Sequence, residues 1–331
     1  MSFFCQQPFE TLNVSPNWRN TCCPNWHHPS RFVFGPITDL AADWNDPILQ
    51  EFRRALLAGD DRYCRLCPFR ASAMRRTARG PDDQPVVEKP PVTLAMLTDR
   101  TCNLTCPSCR REHQTDKPAM SVQAMVDRLP GLRVITLLLS GDPFASRHAM
   151  DFLTSGDHAL PHVIIWTNGL LLPKSWPRIK RKVTVVVMSI DAATQATYEQ
   201  VRRGGRWGEL LTALAFCRDL KDSGEIVEWQ INFVCQAANY REMPAFVELG
   251  LEYHCTRVQF AAIASWPHLT PAEWERMNIA NPTHPEFPQL CQTLADSRLR
   301  LPIADTSALS PEALASVARK RAGDDCFAFR Q

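Results

Sequence analysis

From residue 92 onward, short apolar runs of strand length alternate with stretches of helical periodicity. This alternation constrains the fold more than any other feature of the chain. The runs fall at 92–98, 134–139, 162–167, 183–190, 227–235 and 257–262, and helical patterns lie between them at 121–129, 147–154, 194–202, 206–222 and 240–254. Apolar strands separated by helices predict a parallel sheet with helical crossovers. Six βα units are too few to close an eight-stranded barrel. The expected fold class is α/β, a (βα)6 partial TIM barrel, with its chemistry at the C-terminal ends of the strands.

The flanks read differently. Residues 1–69 hold five cysteines and one amphipathic helix at 46–59, where Ile48, Leu49, Phe52, Leu56 and Leu57 recur at helical spacing and Gly59 is placed to end it. Residues 70–91 are basic, proline-bearing and without period, a linker pattern. The expected organisation is a small N-terminal cysteine-rich domain at 1–69, a linker at 70–91, the barrel at 92–263 and a C-terminal extension at 264–331.

Net charge is +2 and the isoelectric point is near 8.0. Neither value points to a nucleic-acid or anionic-membrane partner. The start MSFFCQQPFE lacks a basic segment followed by an apolar one, and the longest aliphatic run, 183–190, is far short of the ~20 residues that span a bilayer. The expected location is cytoplasmic. In a reducing compartment thirteen cysteines are read first as metal or redox ligands, and an odd count fits a complete disulfide framework poorly.

Three of them stand in the loop TDRTCNLTCPSCR directly after the first strand, at the spacing Cys102-x3-Cys106-x2-Cys109. Three thiolates at such spacings can each take one corner of a [4Fe–4S] cluster and leave one iron open. A zinc site with His113 as fourth ligand is the alternative, and unrelated thiols are the third.

CNLTCPSC resembles the CxxxCxxC signature of the radical S-adenosylmethionine (SAM) superfamily. Four further segments are similar to that family in order, each after its strand: Ser140-Gly141-Asp142-Pro143, Thr167-Asn168-Gly169, Ser189-Ile190-Asp191-Ala192, and Val258–Phe260 at the end of the sixth strand. The resemblance implies that Ser140, Gly141 and Asp142 receive the methionine amino group of SAM and that Thr167 and Asn168 border the cofactor. By the same likeness Ser189 and Asp191 lie against the ribose, and Val258 and Phe260 pack on the adenine. Tyr198, Glu199, Arg202 and Arg203, which follow the ribose stretch, read as an exposed helix face, with an arginine there, Arg202, meeting the SAM carboxylate as the alternative. Two positions depart from the family pattern: Ser108 stands where an aromatic residue is common, and Asp142 where a glutamate is. The implied mechanism is reductive cleavage of SAM to a 5′-deoxyadenosyl radical, which takes hydrogen from a substrate carbon.

The first unit is similar to the SPASM module, an auxiliary-cluster domain of many such enzymes. The likeness rests on Cys5-Gln6-Gln7-Pro8-Phe9, Cys22-Cys23-Pro24-Asn25-Trp26, Trp44-Asn45-Asp46-Pro47, Phe52-Arg53-Arg54 and Tyr63-Cys64-Arg65-Leu66-Cys67. The module usually follows the barrel, whereas here it precedes it. One auxiliary [4Fe–4S] cluster is implied, held by Cys5, one of Cys22 and Cys23, Cys64 and Cys67.

Cys217, Cys235, Cys255, Cys291 and Cys326 are isolated, and burial as small hydrophobes is the ordinary outcome. Cys235, which ends the fifth strand, and Cys326, in Asp324-Asp325-Cys326, are the candidates for a catalytic residue. The expected activity is a radical SAM oxidoreductase acting on a ribosomally made peptide, with an electron donor such as flavodoxin or ferredoxin. A dehydrogenase or epimerase of a small molecule or sugar is the alternative, followed by a non-catalytic iron–sulfur or zinc protein.

Overall fold

The computed structural model describes residues 4–15, 18–20, 33–34, 39–60, 62–64, 83–96, 99–114, 120–138, 141–156, 160–266, 268–311 and 314. All six predicted strands are present as β4 (Thr93–Met96), β5 (Val134–Leu137), β6 (His162–Thr167), β7 (Val183–Ser189), β8 (Glu228–Cys235) and β9 (Arg257–Ala262). They lie side by side in sequence order, every neighbouring pair parallel.

Helices form between them where local chemistry starts them. Ser121, Ser146 and Thr194 each accept a backbone N–H with the side-chain oxygen, capping Val122–Asp127, Arg147–Thr154 and Gln195–Val201. Trp207–Asp222 and Met243–Glu252 complete the crossovers around β8.

Both flanks join this sheet. On one side β1 (Thr11–Ser15) runs parallel to β4, and β2 (Trp18–Asn20) and β3 (Val33–Phe34) extend it antiparallel. On the other side β10 (Ala304–Ala308) runs parallel to β9. The C-terminal extension supplies two helices, Pro271–Met277 and Phe287–Leu294, and an edge strand. Short strands carry little sequence signal of their own, and pairing with β9 supplies the partner that defines β10.

The helix Pro47–Leu57 starts at Asp46, whose side chain accepts the N–H of Ile48. Its Arg53 is fully buried, 4.3 Å from the Trp44 ring, and donates to the carbonyls of Pro8 and Pro85 and to Asn45 Oδ1. Asn45 exchanges two hydrogen bonds with the backbone of Val87, and Trp44 Nε1 donates to Lys89 O. These contacts tie residues 85–89, part of the expected linker, to the N-terminal helix.

The two faces of the sheet differ. On β8 the residues Trp229, Ile231, Phe233 and Cys235 face the helix Met243–Glu252. Trp229 donates to Tyr253 O, Phe233 meets Phe246 edge-on at 4.9 Å, and Cys235 Sγ lies 3.8 Å from Met243 Sδ. On β9, Val258 abuts Gly250 so closely that a Cβ there would lie 2.3 Å from it. Side chains alternate along a strand. The opposite face therefore carries Ser189, Asn232, Gln259 and Asp305 in one register row across β7 to β10, with Gln230 and Arg257 in the next row. A sheet sandwiched between helices would be apolar there; across β8 to β10 this face is mainly polar, with Val187 beside Gln230 on β7. No helix among the described residues is long and apolar enough to cross a membrane.

Candidate cofactor site

The three-cysteine loop lies across the C-terminal ends of the strands. Asp99 anchors its start, accepting the N–H of Thr101 at 2.7 Å and the hydroxyl of Ser146 at 2.5 Å. Ser146 is also the cap of Arg147–Thr154, so one hydroxyl ties loop and helix together. A turn follows, with the N–H groups of Cys109 and Arg110 both bonded to Cys106 O. Arg203 holds the middle of the loop, donating to Thr105 O and Oγ1 and to Arg111 O, while Thr105 N–H bonds back to Arg203 O.

Gly141 allows the closest approach. A Cβ there would stand 2.0 Å from Thr101 O, so only glycine lets the loop after β5 pass the cysteine loop. Asp142 N–H then donates to that same carbonyl.

Each thiol faces N–H donors. Cys102 Sγ receives Leu104 N–H at 3.5 Å and Asn168 Nδ2 at 3.8 Å; Cys106 Sγ receives Arg202 Nη1 at 3.8 Å; Cys109 Sγ receives Arg110 Nη2 at 3.5 Å. The donors come from three segments: the cysteine loop itself, the turn after β6 and the end of the helix after β7. Burial, reinforced by Asp142, pushes the Cys102 thiol up to about 11, and burial also raises Cys106. Binding to a metal would remove those protons, and donors aimed at sulfur stabilise the resulting thiolates.

Among the described residues no three His, Cys, Asp or Glu side chains converge as ligands of a single ion. A cubane takes each thiolate on a different iron, so its ligands need not converge. His113, the alternative zinc ligand, is exposed and hydrogen-bonded through Nδ1 to Cys102 O.

The strand ends complete the site. Asp142 is fully buried: Oδ2 accepts from Thr167 Oγ1 and Asn168 N, each at 2.7 Å, and Oδ1 accepts from Phe144 N at 3.0 Å. Its carboxylate thus braces the Thr167-Asn168 turn. Burial raises its pKa despite those donors. Asn168 also donates to Asn103 Oδ1 at 2.8 Å, closing a path from β6 back to the cysteine loop.

Asp191 adopts a left-handed conformation, φ 64°, unusual outside glycine. Asp191 Oδ1 accepts Val234 N–H and Oδ2 pairs with Arg202, both at 2.7 Å, while Asn239 Nδ2 holds its carbonyl. Burial works against the charge of Arg202, yet Asp191 and Cys106 hold its pKa above the ordinary value. Glu242 fixes the same stretch from outside, accepting the N–H groups of Ala193 and Thr194 and the hydroxyls of Thr194 and Thr197.

Of the residues singled out from the sequence, Cys102, Cys106, Cys109, Gly141, Asp142, Thr167, Asn168, Asp191 and Arg202 are thus linked at one end of the sheet. Cys22, Cys23, Cys67, Cys326 and Ser140 lie outside the described residues. Cys5 and Cys64 are both buried in the core.

Three placements are corrected. Cys235 faces the helix layer rather than the polar face, with its thiol pushed up by burial. Val258 and Phe260 are fully buried on that same layer, Phe260 packed 6.0 Å from Phe246 and 5.5 Å from Phe233. Strand position alone does not decide which face a residue takes. The residue missed is Asn232, register partner of Ser189, whose buried Oδ1 has no partner among the described residues. Its signal was a polar residue alternating with Ile231 and Phe233.

No protein-family model matches the chain, and no curated protein matches it. Solved structures do. Streptococcus suis SuiB bound to S-adenosylmethionine is 17% identical with a TM-score of 0.47, over 64% of this chain and 48% of that one. The structure anSMEcpe with bound AdoMet and Kp18Cys peptide is 17% identical with a TM-score of 0.41, over 56% of this chain and 58% of that one. TYW1 with a lysine–pyruvate adduct is 16% identical with a TM-score of 0.38, over 62% of this chain and 71% of that one. The chain spans about half the length of the SuiB structure it matches.

Proposed function

We propose that the chain is a radical SAM enzyme in which Cys102, Cys106 and Cys109 hold a [4Fe–4S] cluster with one open iron. The observation that carries the reading is the donor arrangement: three thiols on one loop, each receiving an N–H. Charge-assisted donors from Arg202 and Arg110 suit an anionic cluster better than neutral, packed thiols.

When bound, the cluster and SAM together supply one-electron cleavage of SAM and removal of a hydrogen atom from a substrate carbon. The chain's own residues position and shield. Asp142 and Gly141 hold the loops after β4, β5 and β6 in contact. Asp191 keeps Arg202 on Cys106. Ser189 and Asn232 offer neighbouring polar groups on the polar face, suited to hydroxyls of the nucleoside. Gln259 and Ala261 replace Val258 and Phe260 as the β9 side chains on that face. In this reading the sheet is a partial barrel and its polar face lines the reaction chamber. The substrate is proposed to be a peptide, the electron donor a small redox protein, and Cys5, Cys64 and Cys67 with Cys22 or Cys23 an auxiliary cluster site.

Anaerobically purified protein should be brown, carry about eight irons with both clusters, and release 5′-deoxyadenosine with SAM and dithionite. Replacing Cys102, Cys106 or Cys109 by alanine should abolish that release. Release undiminished in those variants, or a colourless zinc protein, ends this reading. Cys64→Ala should leave SAM cleavage intact while product formation stops.

A further inference from the structure

Beside the end of the cysteine loop lies a cavity of about 380 Å3. We propose that it binds an oxyanion, a carboxylate or phosphate carried by the substrate; the link to substrate rests on the radical-enzyme reading above. The volume lies in the range of small-ligand sites. Three segments far apart in sequence wall it: the end of the cysteine loop, the turn at Arg203, and the helix Pro271–Met277 with His268 and Leu269 before it.

Four arginines line this cavity, Arg110, Arg111, Arg203 and Arg276, against one carboxylate, Glu273. Glu273 is already committed: Oε2 accepts from Thr270 N, Thr270 Oγ1 and Arg111 Nη2. Arg203 spends its donors on the neutral acceptors Thr105 and Arg111 O. Arg111 donates to His268 O besides Glu273, and His268 Nε2 donates to Pro107 O. Among the described residues no carboxylate pairs with Arg203 or Arg276. The concavity therefore holds positive charge in clear excess.

Backbone acceptors fix the guanidinium groups of Arg110, Arg111 and Arg203 in place, so an incoming anion finds these three ordered and does not bear the cost of arranging them. Planar guanidinium forks match the two oxygens of a carboxylate or phosphate. Position adds the functional sense. Arg110 lines the cavity and also reaches Cys109 Sγ, so an anion seated there stands one side chain from the cysteine loop. A substrate gripped by its anionic group at this point would be held at a defined distance from the reacting centre.

The test is calorimetric titration of the full chain, purified anaerobically, with glutarate and separately with inorganic phosphate, without SAM or reductant. Glutarate or phosphate should bind, more weakly as potassium chloride rises. Arg276→Glu should weaken that binding at least about tenfold, the effect of losing one charge-assisted contact. Arg276→Lys should weaken binding less than Arg276→Glu, because the charge remains while the guanidinium fork is lost. Arg147→Glu, the same charge change on an exposed arginine that does not line the cavity, should leave binding unchanged. Binding of glutarate alone assigns the site to carboxylates, and of phosphate alone to phosphates. The proposal is overturned if neither anion binds the wild-type chain at millimolar concentration, or if Arg147→Glu weakens binding as much as Arg276→Glu. Failure of SAM cleavage would overturn the catalytic reading and leave this titration unaffected.

Discussion

Gly141 shows how one residue can hold a site together by having no side chain. Two loop backbones meet there, and a methyl group would sit 2.0 Å from a carbonyl oxygen. Gly141→Ala should push the cysteine loop off the strand ends, costing about 1–3 kcal/mol of stability as overpacking does. Chemical denaturation reads the cost, and lowered iron content after anaerobic reconstitution reads the displacement. Asp142, next to it, was visible in the sequence as a carboxylate after a strand. Its role was not, because which way a carboxylate turns depends on the donors folding brings to it. Thr167 and Asn168, from the next strand, turn it inward. Asp191 and Arg202 are eleven residues apart in sequence, and the left-handed turn at Asp191 together with the helix Gln195–Val201 sets their charges 2.7 Å apart.

At the scale of elements, the helix Pro271–Met277 begins with a capping box in which Thr270 and Glu273 satisfy each other's backbone donors. Hydrogen bonds from Thr270, with Arg111 added, lower the Glu273 carboxyl from 4.5 to about 2. A depressed carboxylate pKa stabilises above the unfolded value, and that contribution fades as pH falls through the folded value. The tie between this helix and the cysteine loop should therefore weaken from about pH 4.5 towards pH 2. Faster amide exchange at Thr270 over that window checks it, and Glu273→Gln should abolish the pH dependence.

The N-terminal helix depends on Arg53 in another way. Its guanidinium serves the Pro8 and Pro85 carbonyls from a site of no exposure, and burial pushes its pKa down to about 9. Arg53→Ala should cost about 3 kcal/mol, because buried acceptors lose charged donors. Urea unfolding measures it; a loss below about 0.5 kcal/mol would mean water replaces the guanidinium. The spacing of Trp44, Asn45 and Arg53 was legible as a motif. That these residues clamp residues 85–89 was not, since hydrogen bonds to a distant backbone leave no periodic trace.

For the whole molecule, one sheet gathers both flanks. β10 covers the edge of β9, with Val258 N–H donating to Ile303 O at 2.8 Å. A chain ending at residue 296 would leave that edge unpaired. Bare edges template association, so light scattering should show oligomers or aggregates absent from the full chain. A monodisperse truncated protein would show that the edge is protected without β10.

The sequence alone determined the alternating strands and helices, the capping residues, and the loop on which three cysteines sit. Those features are local: periodicity, hydrogen bonds within one turn, and spacing of a few residues. Tertiary structure decided that β1 and β10 flank the six strands, that Cys235, Val258 and Phe260 turn to the helix layer, and that Asn168 and Arg202, from two other segments, aim N–H groups at the thiols. Such outcomes depend on contacts between residues tens of positions apart. No short window of sequence encodes them, because the free energy that selects them comes from burial and pairing that exist only once the chain has closed on itself.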